Sequence, residues 1–355
     1  MTVHSKSTLP AAGADESEQM GRKSRRVSIV VPAYNEARSL GALWRALEAE
    51  ATNVTKYHFE VIFVDDGSTD NTVEVITQLP TTGGLTWTLL RLARNFGHQS
   101  ALSAGMAHAT GDAVIFLDAD LQDPPHLIES FLERFEAGYD VVYGVRRNRK
   151  EPLWLRICFS AFYRLFNVIA ERPIPLDAGD FGLISSRVAA VLKTMPEQDR
   201  LLRGMRNWVG FKQIGIPYDR PNRYAGISRY GLMRRIDGAL DGLFGFSRLP
   251  IRLSLVLGIS VFLVCAGYLF LSGVTALLFS QTAVPGWRSV ITLAFMLGSA
   301  NLIATAIVGE YVSRIYFQSK QRPLFVVDEI IRSPPAVLSV ERTVHRTDEA
   351  VVRER

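Results

Sequence analysis

Two aspartates and a glutamine, Asp118, Asp120 and Gln122, directly follow a short hydrophobic segment of the 355-residue chain. Carboxylate and amide oxygens are hard ligands that suit Mg²⁺ or Mn²⁺. Such an ion between two phosphates offsets the charge that develops on a leaving diphosphate. Aspartates also cap helices, and Asp123 before Pro124 fits a helix cap. The spacing alone therefore leaves two interpretations open, a helix cap and a site for a divalent metal with the diphosphate of a nucleotide-sugar.

Two further polar clusters, 32–36 and 65–68, each end an earlier hydrophobic segment. An acidic side chain at such a position commonly accepts hydrogen bonds from a ribose or a base. The alternative for the second cluster is that it turns the chain and caps the following helix. Neither G-x-G-x-x-G nor G-x-x-x-x-G-K-[ST] occurs, which disfavours dehydrogenases and P-loop kinases. His98 and His126 fall near the same predicted edge, and we interpret them as surface or capping residues.

Hydrophobic runs rich in β-branched residues alternate four times with segments of helical spacing. This alternation predicts a doubly wound α/β sheet. In an open sheet of this kind, ligands bind at the carboxyl ends of the strands, which is where the three polar clusters lie. The predicted strands are 27–33, 59–66, 86–92, 113–117 and a fifth at 140–145, and the predicted helices are 37–50, a segment from 70, 99–109 and 124–135.

Two uncharged segments near the C-terminus, 253–279 and 289–309, each exceed the about 20 residues needed to cross a hydrocarbon core. The linker between them contains Pro285 and Gly286, so the pair predicts a transmembrane hairpin, with two buried core helices as the alternative. Basic residues are more frequent outside the hairpin than in its linker, which places both ends in the cytoplasm. These residues are Arg248, Arg252, Arg314, Lys320 and Arg322 against Arg288 alone.

Charge is distributed unevenly along the chain. Residues 27–199 carry 15 basic and 22 acidic groups, whereas residues 200–252 carry 11 basic and 3 acidic groups. Because the basic segment directly precedes the first predicted span, it favours lipid headgroups or an anionic lipid substrate over nucleic acid.

Residues 152–170 predict an interfacial amphipathic helix, with a core helix as the alternative, and residues 229–250 predict a juxtamembrane helix.

The chain ends and the cysteines complete the predicted organisation. Residues 1–26 lack the apolar core of a signal peptide and predict a flexible tail. Residues 316–355 predict a charged cytoplasmic tail in which 323–330 could form a short strand. Cys158 and Cys265 are far apart, and the second lies in a predicted span, so they support neither a disulfide framework nor a zinc site.

Seven motifs occur in an order that resembles family 2 glycosyltransferases of the polyisoprenyl-phosphate type, which include dolichyl-phosphate mannose synthase and bacterial undecaprenyl-phosphate glucosyltransferases. The resemblance covers roughly residues 27–315. It implies a GT-A catalytic domain over 27–228 and a membrane segment over 251–315. The motifs are VPAYNE (31–36), VDDGSTD (64–70), RNFGHQSAL (94–102), DADLQDPP (118–125), GDFGL (179–183), RGMRNWVGF (203–211) and GISRY (226–230).

The resemblance also implies roles for individual residues. Asp180 and Asp120 would be catalytic, with Asp180 near the reacting centre. Two departures from the family pattern, Arg229 in place of the common Lys and Gly182 in place of the common Arg, leave the sugar open. The metal would be held by Asp118, Asp120 and Gln122, the nucleotide-sugar by Pro32, Tyr34, Glu36, Asp66, Asp118 and Arg203, and the acceptor phosphate by Arg206, Ser228 and Arg229.

By the same resemblance, the expected reaction is the inverting transfer of one sugar from a nucleotide diphosphate to a lipid phosphate on the cytoplasmic leaflet of the membrane. UDP-glucose and undecaprenyl phosphate are the first choices, and galacturonate, N-acetylhexosamine, aminoarabinose-type sugars and GDP-mannose are alternatives. Membrane lipids and a tetrameric assembly are further expectations. A processive polysaccharide synthase is disfavoured because no Q-x-x-R-W motif occurs, and a non-enzymatic scaffold is disfavoured by the intact Asp-x-Asp.

Overall fold

The computed structural model describes residues 25–81, 84–147, 178–221, 249–279 and 286–334. The predicted interfacial helix 152–170 lies outside the described residues, as does most of the predicted juxtamembrane helix 229–250. The same holds for two predicted acceptor-phosphate residues, Ser228 and Arg229.

Strands and helices alternate in the first half of the described chain, as the sequence predicts. The strands are β1 (Arg25–Ala33), β2 (Tyr57–Asp65), β3 (Leu85–Leu92), β4 (Ala113–Phe116), β5 (Val141–Arg147), β6 (Ala178–Ser185), β7 (Gln213–Asp219) and β8 (Val327–Arg332). The helices are α1 (Ala37–Asn53), α2 (Thr72–Thr77), α3 (His98–His108), α4 (Leu127–Glu136), α5 (Ser186–Thr194), α6 (Leu202–Trp208), α7 (Leu249–Phe279) and α8 (Trp287–Ser319).

The described strands form one eight-stranded mixed sheet of order β7-β5-β6-β4-β1-β2-β3-β8. β1 pairs in parallel with β2 and β4, and β2 pairs in parallel with β3. Seven consecutive residues of β1 are buried, because hydrophobic clusters cover both faces of the sheet, which is the usual setting of a parallel strand. The α/β class is thus confirmed, while β6 and β8 make the sheet mixed.

The antiparallel strand β6 is one of the elements that sequence patterning did not predict, together with β7, α5 and α6. Its register with β4 pairs Ala113 with Ser185 and Phe116 with Gly182. Continuing this register by two residues places Asp180 beside Asp118. A Cβ atom at Gly182 would lie 2.5 Å from the Val142 carbonyl oxygen of β5. Close strand packing therefore accounts for a glycine where the resembled family commonly has arginine.

The two C-terminal helices, α7 and α8, pack against each other. In the part of the chain that the structure describes, one segment, Leu293–Ser319, is long and apolar enough to cross a membrane, with a mean hydropathy of 1.5 and none of its most apolar stretch buried. Val256–Tyr268 in α7 is a shorter apolar stretch. The two-span hairpin consequently stays a prediction.

The end of α8 is fastened to the sheet domain. Arg314 lies 3.0 Å from Asp199, and the Gln318 side chain donates to the Pro196 carbonyl at 2.6 Å. The chain then returns to the sheet, where β8 pairs antiparallel with β3. The segment after the apolar helix therefore completes the sheet, and its strand overlaps the region in which the sequence suggests one.

Packing of β8 against the core gives a test of this return. Ile331 packs against the buried core cluster, whereas Ile330 on the opposite face is 44% exposed. We expect Ile331→Asp to lower the free energy of unfolding by about 2 kcal/mol, because it places a charge against apolar side chains. Ile330→Asp, the matched control, should change it by less than about 0.5 kcal/mol. Thermal unfolding of the full chain in detergent measures both, and equal losses would contradict the described packing of β8.

Candidate active site

Four aspartates gather where β4 ends and β6 begins: Asp118, Asp120, Asp123 and Asp180. Asp120 and Asp123 are buried, whereas the side chain of Asp118 remains 31% accessible. Burial and the neighbouring carboxylates raise the pKa of Asp118, although the charge of His98 opposes that shift. The cluster thus concentrates negative charge. Of the two Asp-x-Asp carboxylates, that of Asp118 is the more accessible to solvent.

A histidine lies between the two strand ends. His98 Nε2 is 3.6 Å from Asp118 Oδ1 and 3.7 Å from Asp180 Oδ2. Burial disfavours the charged imidazole, but these carboxylates and that of Asp66 outweigh burial and raise the pKa of His98 to about 9. His98 is therefore positively charged at neutral pH, and its interpretation as a surface or capping residue is wrong. A usable signal was its place just beyond the carboxyl end of β3.

The second histidine is unrelated to this cluster. His126 is exposed and is the N-cap residue of α4, which agrees with its interpretation as a surface or capping residue.

The carboxylate of Asp180 is held by groups from α3 and α6. Gln99 Nε2 donates to Asp180 Oδ2 at 2.8 Å. Burial disfavours its charge, but His98, Arg203 and Arg206 together hold the pKa of Asp180 well below its usual range. Among the described residues, Asp180 Oδ1 has no hydrogen-bond partner although it is buried. Asp180 is therefore an ionised carboxylate at neutral pH with one oxygen left for a ligand.

Arg206 supports the backbone of the same residue. Its guanidinium donates to the carbonyl oxygens of Gly179 at 2.7 Å and Asp180 at 3.3 Å, and it lies over the Tyr143 ring. Burial lowers the pKa of Arg206 to about 10, so the group keeps its charge at neutral pH. The structure places Arg206 behind Asp180, and its binding of an acceptor phosphate stays a prediction.

The predicted nucleotide residues lie on two adjacent strand ends. Pro32 is buried in β1 opposite Val64, and Tyr34 is partly exposed just beyond. Asn35 has a φ of 56°, and its Oδ1 accepts from the Thr69 amide at 2.7 Å. The Glu36 amide donates to Thr72 Oγ1 at 3.0 Å. These bonds join the end of β1 to the β2–α2 loop, so the structure brings Pro32, Tyr34, Glu36 and Asp66 together.

Asp65 and Asp66, at the end of β2, have different hydrogen-bond partners. Asp66 accepts the amides of Phe96 at 2.7 Å and Gly97 at 2.9 Å, which fixes the loop that leads into α3. Asp65 Oδ1 accepts the Ser68 amide at 3.1 Å, while its buried Oδ2 has no partner in the described residues. The sequence predicts Asp66 and not Asp65 as a nucleotide residue, because only the structure shows which carboxylate oxygen is left without a donor.

Asp123 holds the loop that follows the Asp-x-Asp pair through contacts with Tyr218 and Arg220. The buried Asp123 accepts a hydrogen bond from the Tyr218 hydroxyl of β7, and its Oδ1 lies 3.6 Å from Arg220 Nε. α4 begins four residues later, at Leu127, so the prediction that Asp123 caps this helix is wrong. Burial and the neighbouring carboxylate raise the pKa of Tyr218 well above its usual range, so its hydroxyl stays protonated as a donor.

The donor set suits a divalent cation bound together with a phosphate ligand. Within the described ranges no group of three or more His, Cys, Asp or Glu residues could enclose a metal. Mg²⁺, however, is commonly held by one or two carboxylates, with water and substrate phosphates completing its shell. Asp118 and Asp120 supply two carboxylates, and the pKa of Asp118 is raised by burial and by negative neighbours whose charge a cation would balance. Asp118, Asp120 and the partly exposed Gln122 therefore fit Mg²⁺ or Mn²⁺.

The mixed α/β sheet, with the Asp-x-Asp carboxylates at the carboxyl end of β4, has the GT-A-like glycosyltransferase fold. The family model described as "Glycosyl transferase family 2" matches residues 28–181. Uncharacterized glycosyltransferase YkcC of Bacillus subtilis (strain 168) is 37% identical over 304 residues, which are 85% of this chain and 93% of that protein. The chain belongs to glycosyltransferase family 2 and is a glycosyltransferase.

Two further relatives carry more specific names. The bactoprenol glucosyl transferase of Shigella phage SfV is 35% identical over 307 residues, covering 85% of this chain and 98% of that protein. The prophage bactoprenol glucosyl transferase homolog of Escherichia coli (strain K12) is 34% identical over 309 residues, covering 86% of this chain and 99% of that protein. The similarity to both proteins extends well beyond the 28–181 family match.

Metal binding can be measured without substrate turnover. We expect Mn²⁺ with UDP to raise the Tm of the full chain, because a ligand at about 100 times its Kd stabilises the folded state by about 2.7 kcal/mol. Asp118→Asn and Asp120→Asn should abolish this rise while leaving the metal-free Tm equal or higher, since each removes one of the repelling carboxylates. Asp112 precedes the first residue of β4, at the opposite end from the Asp-x-Asp pair. Asp112→Asn is therefore the control, and its Tm should still rise with Mn²⁺ and UDP. A rise retained in both site variants would contradict the assignment.

Proposed function

We propose that the protein transfers one sugar from a nucleotide diphosphate, with UDP-glucose as the first candidate, to a polyprenyl phosphate such as undecaprenyl phosphate. The observation that carries the proposal is the pairing of β4 with β6, which brings the Asp-x-Asp carboxylates and the ionised Asp180 to one edge of the sheet. The relatives named as bactoprenol glucosyl transferases support the acceptor class, because their similarity covers nearly their whole length.

The donor would lie across the ends of β1, β2 and β4. Tyr34 and Glu36 flank the nucleotide, and Asp65 Oδ2 offers a buried acceptor for an N–H or O–H of the base or ribose. Asp118, Asp120 and Gln122 would hold Mg²⁺ or Mn²⁺, which balances the charge of the leaving diphosphate when bound. Arg203 adds a positive charge on the side of Asp180.

The acceptor chemistry explains why Asp180 need not take a proton. A phosphate monoester is already ionised near neutral pH, so one of its oxygens can attack the anomeric carbon directly. The bond from that carbon to the diphosphate breaks as the new bond forms, which inverts the configuration. Because the pKa of Asp180 lies far below neutrality, it is a poor general base and instead orients the sugar or the acceptor. Arg206, Ser228 and Arg229 are proposed to bind the acceptor phosphate.

Membrane attachment would bring the lipid acceptor to this edge. The exposed apolar segment Leu293–Ser319 supports at least one span, and α7 beside it would complete the proposed hairpin at 253–279 and 289–309. The contacts between Arg314 and Asp199 and between Gln318 and Pro196 hold the end of α8 next to the segment that leads into α6. The catalytic domain would therefore stand on the cytoplasmic face, where the basic segment 200–252 meets anionic headgroups. Assembly as a tetramer remains an expectation from the family resemblance.

A reconstituted transfer assay tests the proposal. Full-length protein in detergent is incubated with undecaprenyl phosphate, Mg²⁺ or Mn²⁺, and UDP-glucose, UDP-galacturonate, UDP-N-acetylglucosamine or GDP-mannose, and lipid products are detected by mass spectrometry. We expect one hexose added to the lipid phosphate from UDP-glucose. Asp120→Asn and Asp180→Asn should lower turnover about 100-fold or more, because each removes an electrostatic contact to the reacting groups.

Asp112→Asn serves as the control and should turn over like the wild type. Release of nucleoside diphosphate without any lipid product would contradict the proposal that a polyprenyl phosphate is the acceptor. Lipid carrying a chain of sugars would indicate a processive enzyme instead, and product from a different nucleotide-sugar alone would correct the donor.

A further inference from the structure

Gln99 connects the side chain of Asp180 to the start of helix α6. Its Nε2 donates to Asp180 Oδ2 at 2.8 Å, and its Oε1 accepts the backbone N–H of Leu202 at 2.8 Å. One partner is an acceptor and the other a donor, so only one orientation of the amide satisfies both. Leu202 is the first residue of α6, where backbone N–H groups have no acceptor within the helix.

Arg206 provides a second connection between Asp180 and α6. It belongs to α6, and its guanidinium donates to the carbonyl oxygens of Gly179 and Asp180. The side chain of Asp180 is thus tied to α6 through Gln99, and its backbone is tied to α6 directly through Arg206. Arg203, which lowers the pKa of Asp180, is carried by the same helix. The position of Asp180 and the position of the two arginines are therefore set together.

The bond from Gln99 also decides which oxygen of Asp180 remains available. Oδ2 is engaged by Gln99 and lies 3.7 Å from His98 Nε2, while the buried Oδ1 has no partner among the described residues. Without Gln99 the carboxylate could rotate toward the positive imidazole of His98. Gln99 is the second residue of α3, whose entry loop is fixed by Asp66 through the amides of Phe96 and Gly97. The amide is therefore held on a rigid support.

We propose that Gln99 is a positioning residue for sugar transfer. It presents Asp180 Oδ1 to the ligand and couples that carboxylate to the arginines of α6. Because the two hydrogen bonds of the amide go to Asp180 and Leu202, and not to the nucleotide residues of β1 and β2 or to the Asp-x-Asp loop, we expect its loss to affect the reacting geometry more than donor binding. Small displacements of a reacting group reduce turnover strongly without a matching loss of affinity. This inference rests on the proposed function of Asp180.

Gln99→Glu is the most informative variant. A glutamate keeps an oxygen acceptor for the Leu202 N–H but loses the donor to Asp180 and places a second carboxylate against it. We expect kcat to fall about 30-fold or more, with the KM for the nucleotide-sugar changed by less than about twofold. Gln213→Glu is the matched control, because Gln213 also donates to α6, at the Arg206 carbonyl, without contacting Asp180. Its kcat should stay within about threefold of the wild type.

Three outcomes in this assay overturn the inference: a kcat for Gln99→Glu within about twofold of the wild type, a loss found mainly in KM, or an equal loss of kcat in Gln213→Glu. The wild type and Asp180→Asn are assayed beside these variants. Absence of lipid product in the wild type would count against the proposed function and not against the Gln99 contact.

A second measurement needs no substrate. In a double-mutant cycle of Gln99→Leu and Asp180→Ala followed by thermal unfolding of the full chain, the two changes in Tm should be clearly non-additive, because both variants break the same bond. Additive changes would mean that Gln99 and Asp180 are not coupled, and would overturn the inference whatever the transfer assay shows.

Discussion

Repulsion among the carboxylates at the ends of β4 and β6 is the constraint on which the rest of the site depends. Asp118, Asp120, Asp123 and Asp180 gather in a protected place, where like charges are costly. Asp180 and Asp123, the two aspartates outside the Asp-x-Asp pair, each have a positive or donating partner. His98 lies between Asp180 and Asp118, and Tyr218 and Arg220 contact Asp123. The remaining negative charge lies on the Asp-x-Asp pair. A cation would offset this charge for an incoming diphosphate, so the proposed metal and donor sites would be filled as one linked event.

The sheet creates this arrangement through one change of strand direction. Parallel strands β1, β2 and β4 bring their carboxyl ends to a common edge, and antiparallel β6 begins at that edge instead of ending there. Asp180 therefore enters the site at the start of a strand, beside Asp118 at the end of another. Gly182 allows β5 to approach β6 closely just behind it. Helix α6 then buttresses Asp180, and the contacts from α8 to residues 196 and 199 link that region to the apolar helices.

Local patterns predicted much of this from the sequence. Runs of β-branched residues gave the first five strands to within about two residues, and placed the polar clusters at the correct edge. The pairing of β6 with β4 and of β8 with β3 could not be found in this way, because both depend on contacts between distant parts of the chain. The charge of His98 depends on Asp118 and Asp180 from two strands, so its position after β3 indicates a place at the site edge but does not predict that charge. Asp123 failed as a predicted cap for the same reason, since its partner Tyr218 is 95 residues away.

We propose that the Asp-x-Asp pair is a divalent-cation site at the same edge as the donor nucleotide. Anomalous diffraction near the manganese absorption edge, from crystals of the full chain grown with Mn²⁺ and UDP, tests it most directly. We expect an anomalous peak at coordination distance, about 2 Å, from a carboxylate oxygen of Asp118 or Asp120 and from the diphosphate. Density for UDP at this edge without such a peak, or a manganese peak away from both aspartates, would contradict it.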